Sequence, residues 1–141
     1  MRPFKWAAPA ALFLLCIMIW LGVTKQHYCL MPGKENRLLC VISRHAGYAH
    51  MTRGMNTHTI AALDAATTEA DIPILANILH GPDRVAAMTA ARVLKTKGPQ
   101  GTAALLQSFH AALNRKDTVF AMFINEHGDL RQKIYGTDRA Q

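Results

Sequence analysis

A shift of 34 residues lays the middle of this chain on its C-terminal part. Leu75 falls on Phe109, Leu79 on Leu113, Asp83 on Asp117, Val85 on Val119, Ala87 on Ala121 and Met88 on Met122. Each copy reads as an apolar helix, a short turn, an Asp cap and a second helix. A unit of this kind cannot bury its apolar faces alone and must stack on neighbours, which confines the chain to an array of helical hairpins. Strand signals are absent: no stretch alternates apolar and polar with β-branched residues, and no Asn-Gly or Asp-Gly turn occurs. The expected fold class is all-α.

The clearest helix spans Ile72 to His80. Asp71 is read as its N-cap, Pro73 is tolerated in the first turn, and Ile72, Leu75, Ile78 and Leu79 form one stripe. Gly81-Pro82 stops it. Asp83 caps a second helix carrying Val85, Met88, Ala91 or Arg92, and Val93-Leu94; Gly98-Pro99 stops that one, with Lys95 and Lys97 near its cation-favouring end. A third runs from about Gly101 to Leu113 with Leu105, Leu106, Phe109, Ala112 and Leu113 inward. Asp117 caps a fourth, which carries Val119, Phe120, Met122, Phe123 and Ile124. Upstream, Glu35 to Ala49 presents Leu38, Leu39, Ile42, Ala46 and Ala49 on a face, and Thr57 to Thr68 turns Ile60, Leu63 and Ala66-Thr67 inward. Met88 and Met122, at equivalent positions, are read as core filler. These helices make about three hairpins, close to the minimum for a self-supporting stack.

The stretch from Asp71 to Gly98 resembles a HEAT repeat. In that family a first helix opens with an acidic cap and proline, as Asp71 and Pro73 do; a Pro-Asp turn follows, as at Pro82-Asp83. Val85, Ala86, Ala87, Ala90, Ala91, Leu94 and Gly98 then stand where the family has a valine, small residues, a leucine and a glycine. The resemblance extends from Asp71 to Leu113, weakens over 114–127 and is only architectural over 35–68. One departure is that Ala86 follows Val85 where the family often has arginine, while Arg84 precedes it. The resemblance implies a small right-handed α-solenoid whose surface holds a protein partner.

An uncharged run from Trp6 to Thr24 occupies the N-terminus. At 1.5 Å per residue it spans about 28 Å, close to the hydrocarbon thickness of a bilayer. Trp6 and Trp20 lie near its ends, and Pro9 falls in the first helical turn. The rival reading is a cleaved signal peptide. No A-x-A follows the apolar core and Cys16 lacks the small residues that precede a lipoprotein cysteine, which favours an uncleaved single-pass anchor. The positive-inside count is nearly balanced between Arg2 and Lys5 on one side and Lys25, Lys34 and Arg37 on the other. Cys29 and Cys40 tip the reading toward an exported, periplasmic domain, because a disulfide between them persists only in an oxidising compartment. The competing reading is two unrelated buried thiols.

The net charge of +7 is concentrated near the anchor. Lys25, Lys34, Arg37 and Arg44 are read as a collar facing lipid headgroups, each contributing about 1 kcal/mol near an anionic surface. Nucleic-acid binding would want that charge spread over a folded face with interleaved aromatics. No reaction is signalled. Ser43 and Ser108 lie in no strand–turn–helix elbow and beside no His at useful spacing, and Gly98-Pro-Gln-Gly101 lacks the lysine and hydroxyl of a phosphate cradle. Asp64, Glu69 and Asp71 make no catalytic carboxylate pair. His45, His50 and His58 have no metal-ligand spacing with Cys29 and Cys40, and C-x-x-C-H is absent.

The expected organisation is a basic flank at 1–5, an anchor at 6–24, a linker at 25–34, a HEAT-like domain at 35–135 and a tail at 136–141. The expected function is a membrane-anchored, non-enzymatic scaffold or adaptor with a protein partner, membrane lipid around its anchor, and no cofactor, metal, nucleic acid or small-molecule substrate. An accessory subunit of a membrane complex is the alternative; a small helical metal-binding protein or enzyme is remote. The Phe120–Ile124 cluster is too apolar for one helix face. Phe120 and Phe123 therefore mark either a partner-binding edge or a surface covered by Leu130, Ile134 and Tyr135, the lid being favoured because a solenoid end must be capped.

Overall fold

The backbone solves its hydrogen-bonding problem locally, helix by helix. The computed structural model describes residues 7–46 and 57–130. Among them are α1 (Ala7–Thr24), α2 (Lys34–Ala46), α3 (Thr57–Ala65), α4 (Ile72–His80), α5 (Arg84–Thr96), α6 (Gly98–Asn114) and α7 (Thr118–Gly128), with 3-10 turns at Gln26–Leu30 and Glu69–Asp71 and no strand. Short-range chemistry accounts for most of the boundaries. The Asp83 carboxylate accepts from the N–H groups of Val85 and Ala86 at 3.1 and 3.3 Å, and Asp117 accepts from Phe120 at 3.0 Å. These bonds satisfy the donors that open α5 and α7. Gly81 closes α4, its N–H donating to the carbonyl of Ile78 at 3.0 Å.

Helix α6 starts at Gly98, three residues before its expected start. The Gly98-Pro99 pair that ends α5 also begins α6. Gly98 takes φ +69°, a left-handed turn that glycine adopts without a side-chain clash, and Pro99 fits a first helical turn. The reversal is tight: a Cβ on Gly101 would lie 1.9 Å from the Leu94 carbonyl oxygen. Asp71 also differs from expectation. Its side chain makes no bond to α4 and points back, accepting from the backbone N–H of Thr68 at 2.9 Å and its hydroxyl at 3.1 Å. An extra 3-10 turn runs directly into α4, so the carboxylate closes that turn in a reciprocal capping box.

Consecutive helices pair: α2 on α3, α4 on α5, α6 on α7. Helix α5 also lies against both α3 and α7, and α4 against both α2 and α6. Leu38, Ile42, Leu63, Leu75, Leu79, Leu94, Leu105 and Ile124 fill the space between, and Ala86, Ala87, Ala90 and Ala91 let the central α5 approach its neighbours closely. Lys97, 11% exposed, reaches across to α3, donating to the carbonyls of Asp64 and Thr67 at 3.0 and 2.8 Å and pairing with the Asp64 carboxylate at 2.8 Å. Two residues earlier, Lys95 pairs with Asp129 beyond α7. One end of α5 is thus fastened to both flanking hairpins.

The two copies of the 34-residue unit are not equally covered. Leu79 is fully buried whereas Leu113 is 44% exposed; Met88 is half-buried whereas Met122 is 71% exposed. Of these four side chains Leu79 alone belongs to the buried core, and Met122 is left open because α7 has no following hairpin to pack against among the described residues. Ala66 is exposed while Thr67 is buried. Leu130 is buried at 1%, and the other two expected lid residues, Ile134 and Tyr135, lie outside the described residues, as do Trp6, Ala49, His50 and the 136–141 tail.

Helix α1 carries no charge over eighteen residues, about 27 Å at 1.5 Å per residue. Among the described residues, no helix is long and apolar enough to cross a membrane. Leu12, Phe13, Leu14, Leu15 and Met18 are each more than half exposed, so the helix is apolar on every side.

Candidate binding cleft

The turns that join α4 to α5 and α6 to α7 lie side by side and enclose an open cleft of about 270 Å³. Its walls carry His80, Arg84, Arg115, Phe120 and Phe123. Local rules place each of them. Gly81-Pro82 leaves His80 as the last residue of α4; the Asp83 cap makes Arg84 the first of α5; and Arg115 follows the last residue of α6. Phe120 and Phe123 stand almost one helical turn apart, their rings stacked at 13° with centroids 6.0 Å apart. The Arg84 guanidinium carbon sits 5.4 Å from the Phe123 centroid, within cation–π range. His80 packs 5.1 Å from Phe120.

Charge in the cleft is positive on balance, Arg84 and Arg115 standing against the Asp117 carboxylate. Among the described residues, neither Arg84 nor Arg115 is in an ion pair. Of the acids nearby, Asp117 is committed to its cap, and Asp83 to its cap and to Lys25 at 3.6 Å. Burial pushes the His80 pKa down, and the neighbouring Arg115 charge pushes the same way. The imidazole therefore stays neutral at pH 7 and shares a hydrogen bond between Nε2 and the Ser108 hydroxyl at 3.2 Å.

No family model, curated protein or solved structure matches the chain. The cleft's chemistry rests on its own residues. The Ser108–His80 contact, between residues 28 apart, is one the spacing gave no sign of. Ser108 is only 6% exposed and, among the described residues, no carboxylate pairs with His80. The bond satisfies a buried hydroxyl and lacks the orienting acid of a catalytic triad. Among the described residues no three His, Cys, Asp or Glu side chains come together as a metal set.

The structure joins Cys29 and Cys40 in a disulfide with Cα atoms 4.8 Å apart, fastening the Gln26–Leu30 turn to α2. Of the collar residues, Arg37 and Arg44 are exposed on α2, but Lys25 and Lys34 turn toward the domain. Lys34 pairs with Asp71, whose side chain is 3% exposed and whose carboxylate needs a counter-charge there. This pairing, followed by the Thr68 N–H bond, holds the Asp71 pKa below the usual carboxylate range. The collar is therefore not a single headgroup-facing set. Phe120 and Phe123 are half-buried in the cleft wall, not bare edge residues; the exposed apolar positions of α7 are Val119 and Met122.

His80, Arg84 and Arg115 were missed by sequence reasoning. The available signal was the pair of Asp-capped turns, Asp83-Arg84 and Arg115-Lys116-Asp117, brought into register by the 34-residue shift. A second hollow of about 550 Å³ lies among the ends of α3, α5 and α7, beside Arg92, Glu126 and His127. Burial also lowers the His127 pKa.

Proposed function

We propose that this protein is a single-pass, membrane-anchored, non-enzymatic scaffold whose HEAT-like α-solenoid binds a protein partner through the cleft between the α4–α5 and α6–α7 turns. The observation that carries this reading is the Arg84 guanidinium over Phe123 beside Arg115, two cations without ion pairs among the described residues, next to stacked aromatics in an open groove. Arginine and aromatic side chains together are the residue types that dominate binding energy at protein interfaces. The matching partner surface is a peptide segment carrying carboxylates beside apolar side chains. The pairing of α4 with α2 and α6, and of α5 with α3 and α7, supports a solenoid arrangement.

Anchoring is supported by α1. A helix apolar on every side belongs in lipid or in contact with other apolar helices, because leaving it in water costs about 25 cal/mol per Å² of apolar surface. The disulfide supports an exported, periplasmic domain. Confinement to the membrane raises the effective concentration of the domain for a membrane-associated partner.

The test is co-purification of the full chain in mild detergent from its native membranes. A partner retained at fixed stoichiometry by the wild type and Lys95→Met, and lost with Arg84→Glu or Phe123→Ala, supports the cleft. A partner that survives both cleft variants but is lost when α1 is exchanged for an unrelated anchor favours an accessory subunit held through α1. Absence of any stoichiometric partner contradicts both readings.

A further inference from the structure

We infer that α7 is a self-association surface, on which a second copy of this chain packs its own α7 antiparallel about a two-fold axis between Val119 and Met122. Val119 and Met122 are 66% and 71% exposed. They lie nearly one turn apart on one side of the helix. Exposed Lys116 stands at one end of this stripe and exposed Glu126 at the other, neither in an ion pair among the described residues. The stripe reads basic, apolar, apolar, acidic.

That order is self-complementary. An isologous contact requires residue i to face j while j faces i. With the axis midway between Val119 and Met122, each Val119 meets the Met122 of the other copy, and the Lys116 end meets the other copy's Glu126. Apolar side chains face each other at the centre and opposite charges meet at both rims, the arrangement that gives an interface its register. The equivalent positions of the first hairpin, Val85 and Met88, are half-buried on α5, the helix that α7 packs against. The second copy extends that side-by-side packing by one more helix. Head-to-tail stacking is disfavoured, because the disulfide-tied Gln26–Leu30 turn already packs on α2.

The experiment is sedimentation equilibrium of the full Cys16→Ser chain in density-matched mild detergent, with parallel cross-linking from Met122→Cys by a short bis-maleimide. A dimer is expected, and Glu126→Lys should weaken it about tenfold, the swing of two rim ion pairs turned into repulsions. Lys116→Glu combined with Glu126→Lys should restore it, which a merely structural role for either residue would not do. Met122→Cys should cross-link to a second copy, and Gln107→Cys on α6 should not. A chain monomeric at every concentration overturns the inference. So does a dimer indifferent to Glu126→Lys, or a Met122→Cys cross-link formed only with a different protein.

Discussion

Replacing Lys97 with methionine isolates what one charged side chain contributes to the joint between two hairpins. Methionine keeps most of the aliphatic stem, so packing changes little, while the ammonium is lost. Its two hydrogen bonds to the Asp64 and Thr67 carbonyls, at 3.0 and 2.8 Å, come from a side chain that is only 11% exposed. Bonds to charged groups contribute about 1.5–3 kcal/mol, and two sharing one donor are not additive, so about 2–3 kcal/mol is expected for the pair. The ion pair adds about 0.5 kcal/mol at most, because the Asp64 side chain is 43% exposed and screened by water. Lys95→Met is the control. Its partner Asp129 is 58% exposed and Lys95 itself 50%, so water screens the pair and a near-neutral effect is expected. Thermal unfolding of the detergent-solubilised chain, followed by circular dichroism at ~222 nm, should show Tm lowered by at least about 10 °C for Lys97→Met and by less than about 3 °C for Lys95→Met. Equal shifts for the two lysines would mean that Lys97 does not brace the joint, since burial and the carbonyl contacts are all that separate them.

Gly101→Ala should destabilise by more than about 2 kcal/mol, because the new Cβ would meet the Leu94 carbonyl oxygen at 1.9 Å and backbone must move; denaturant unfolding of the variant checks this, and a neutral result contradicts the tight reversal. Reducing the Cys29–Cys40 bond, with eleven residues of sequence separation, should cost about 2–3 kcal/mol through the freed loop, read as a lower Tm in reductant that Cys29→Ser no longer shows. His80 and His127 both have pKa values below the ordinary 6.5, so the unfolded chain gains protons that the folded chain refuses as pH falls past that value. Stability should be flat above about pH 7.5 and decline through pH 6, less steeply in His80→Gln with His127→Gln; a Tm that rises on acidification from pH 7 contradicts this. Further acid loss is expected below the ordinary carboxylate value of 3.8, where depressed Asp64, Asp71 and Asp129 are finally protonated and their lysine pairs break.

Features held by short-range chemistry were legible in the sequence. Helix α4 occupies Ile72–His80 as its spacing requires, and Asp83 and Asp117 cap as read, because a cap bonds to N–H groups two or three residues away. Gly98-Pro99 was legible as a break but not as a start, since the same residue types end one helix and open the next. Contacts between residues 28 to 34 apart were not legible: His80 with Ser108, Lys97 with Asp64, Lys95 with Asp129. They depend on how hairpins stack, which no local spacing encodes. The exposure of Met122 and Leu113 escaped for a related reason. Their apolar pattern matches that of Met88 and Leu79, and only the position of a neighbour separates the two cases.

Occupancy of the cleft is read by photocross-linking, using a photoreactive aromatic in place of Phe123 in the full chain, irradiated in intact cells. One covalent adduct of constant added mass with a different protein is expected, abolished by Arg84→Glu and absent when the same group replaces exposed Gln107. Failure to form an adduct at position 123, or adducts equally abundant at both positions and unaffected by Arg84→Glu, would contradict a cleft that holds a protein partner.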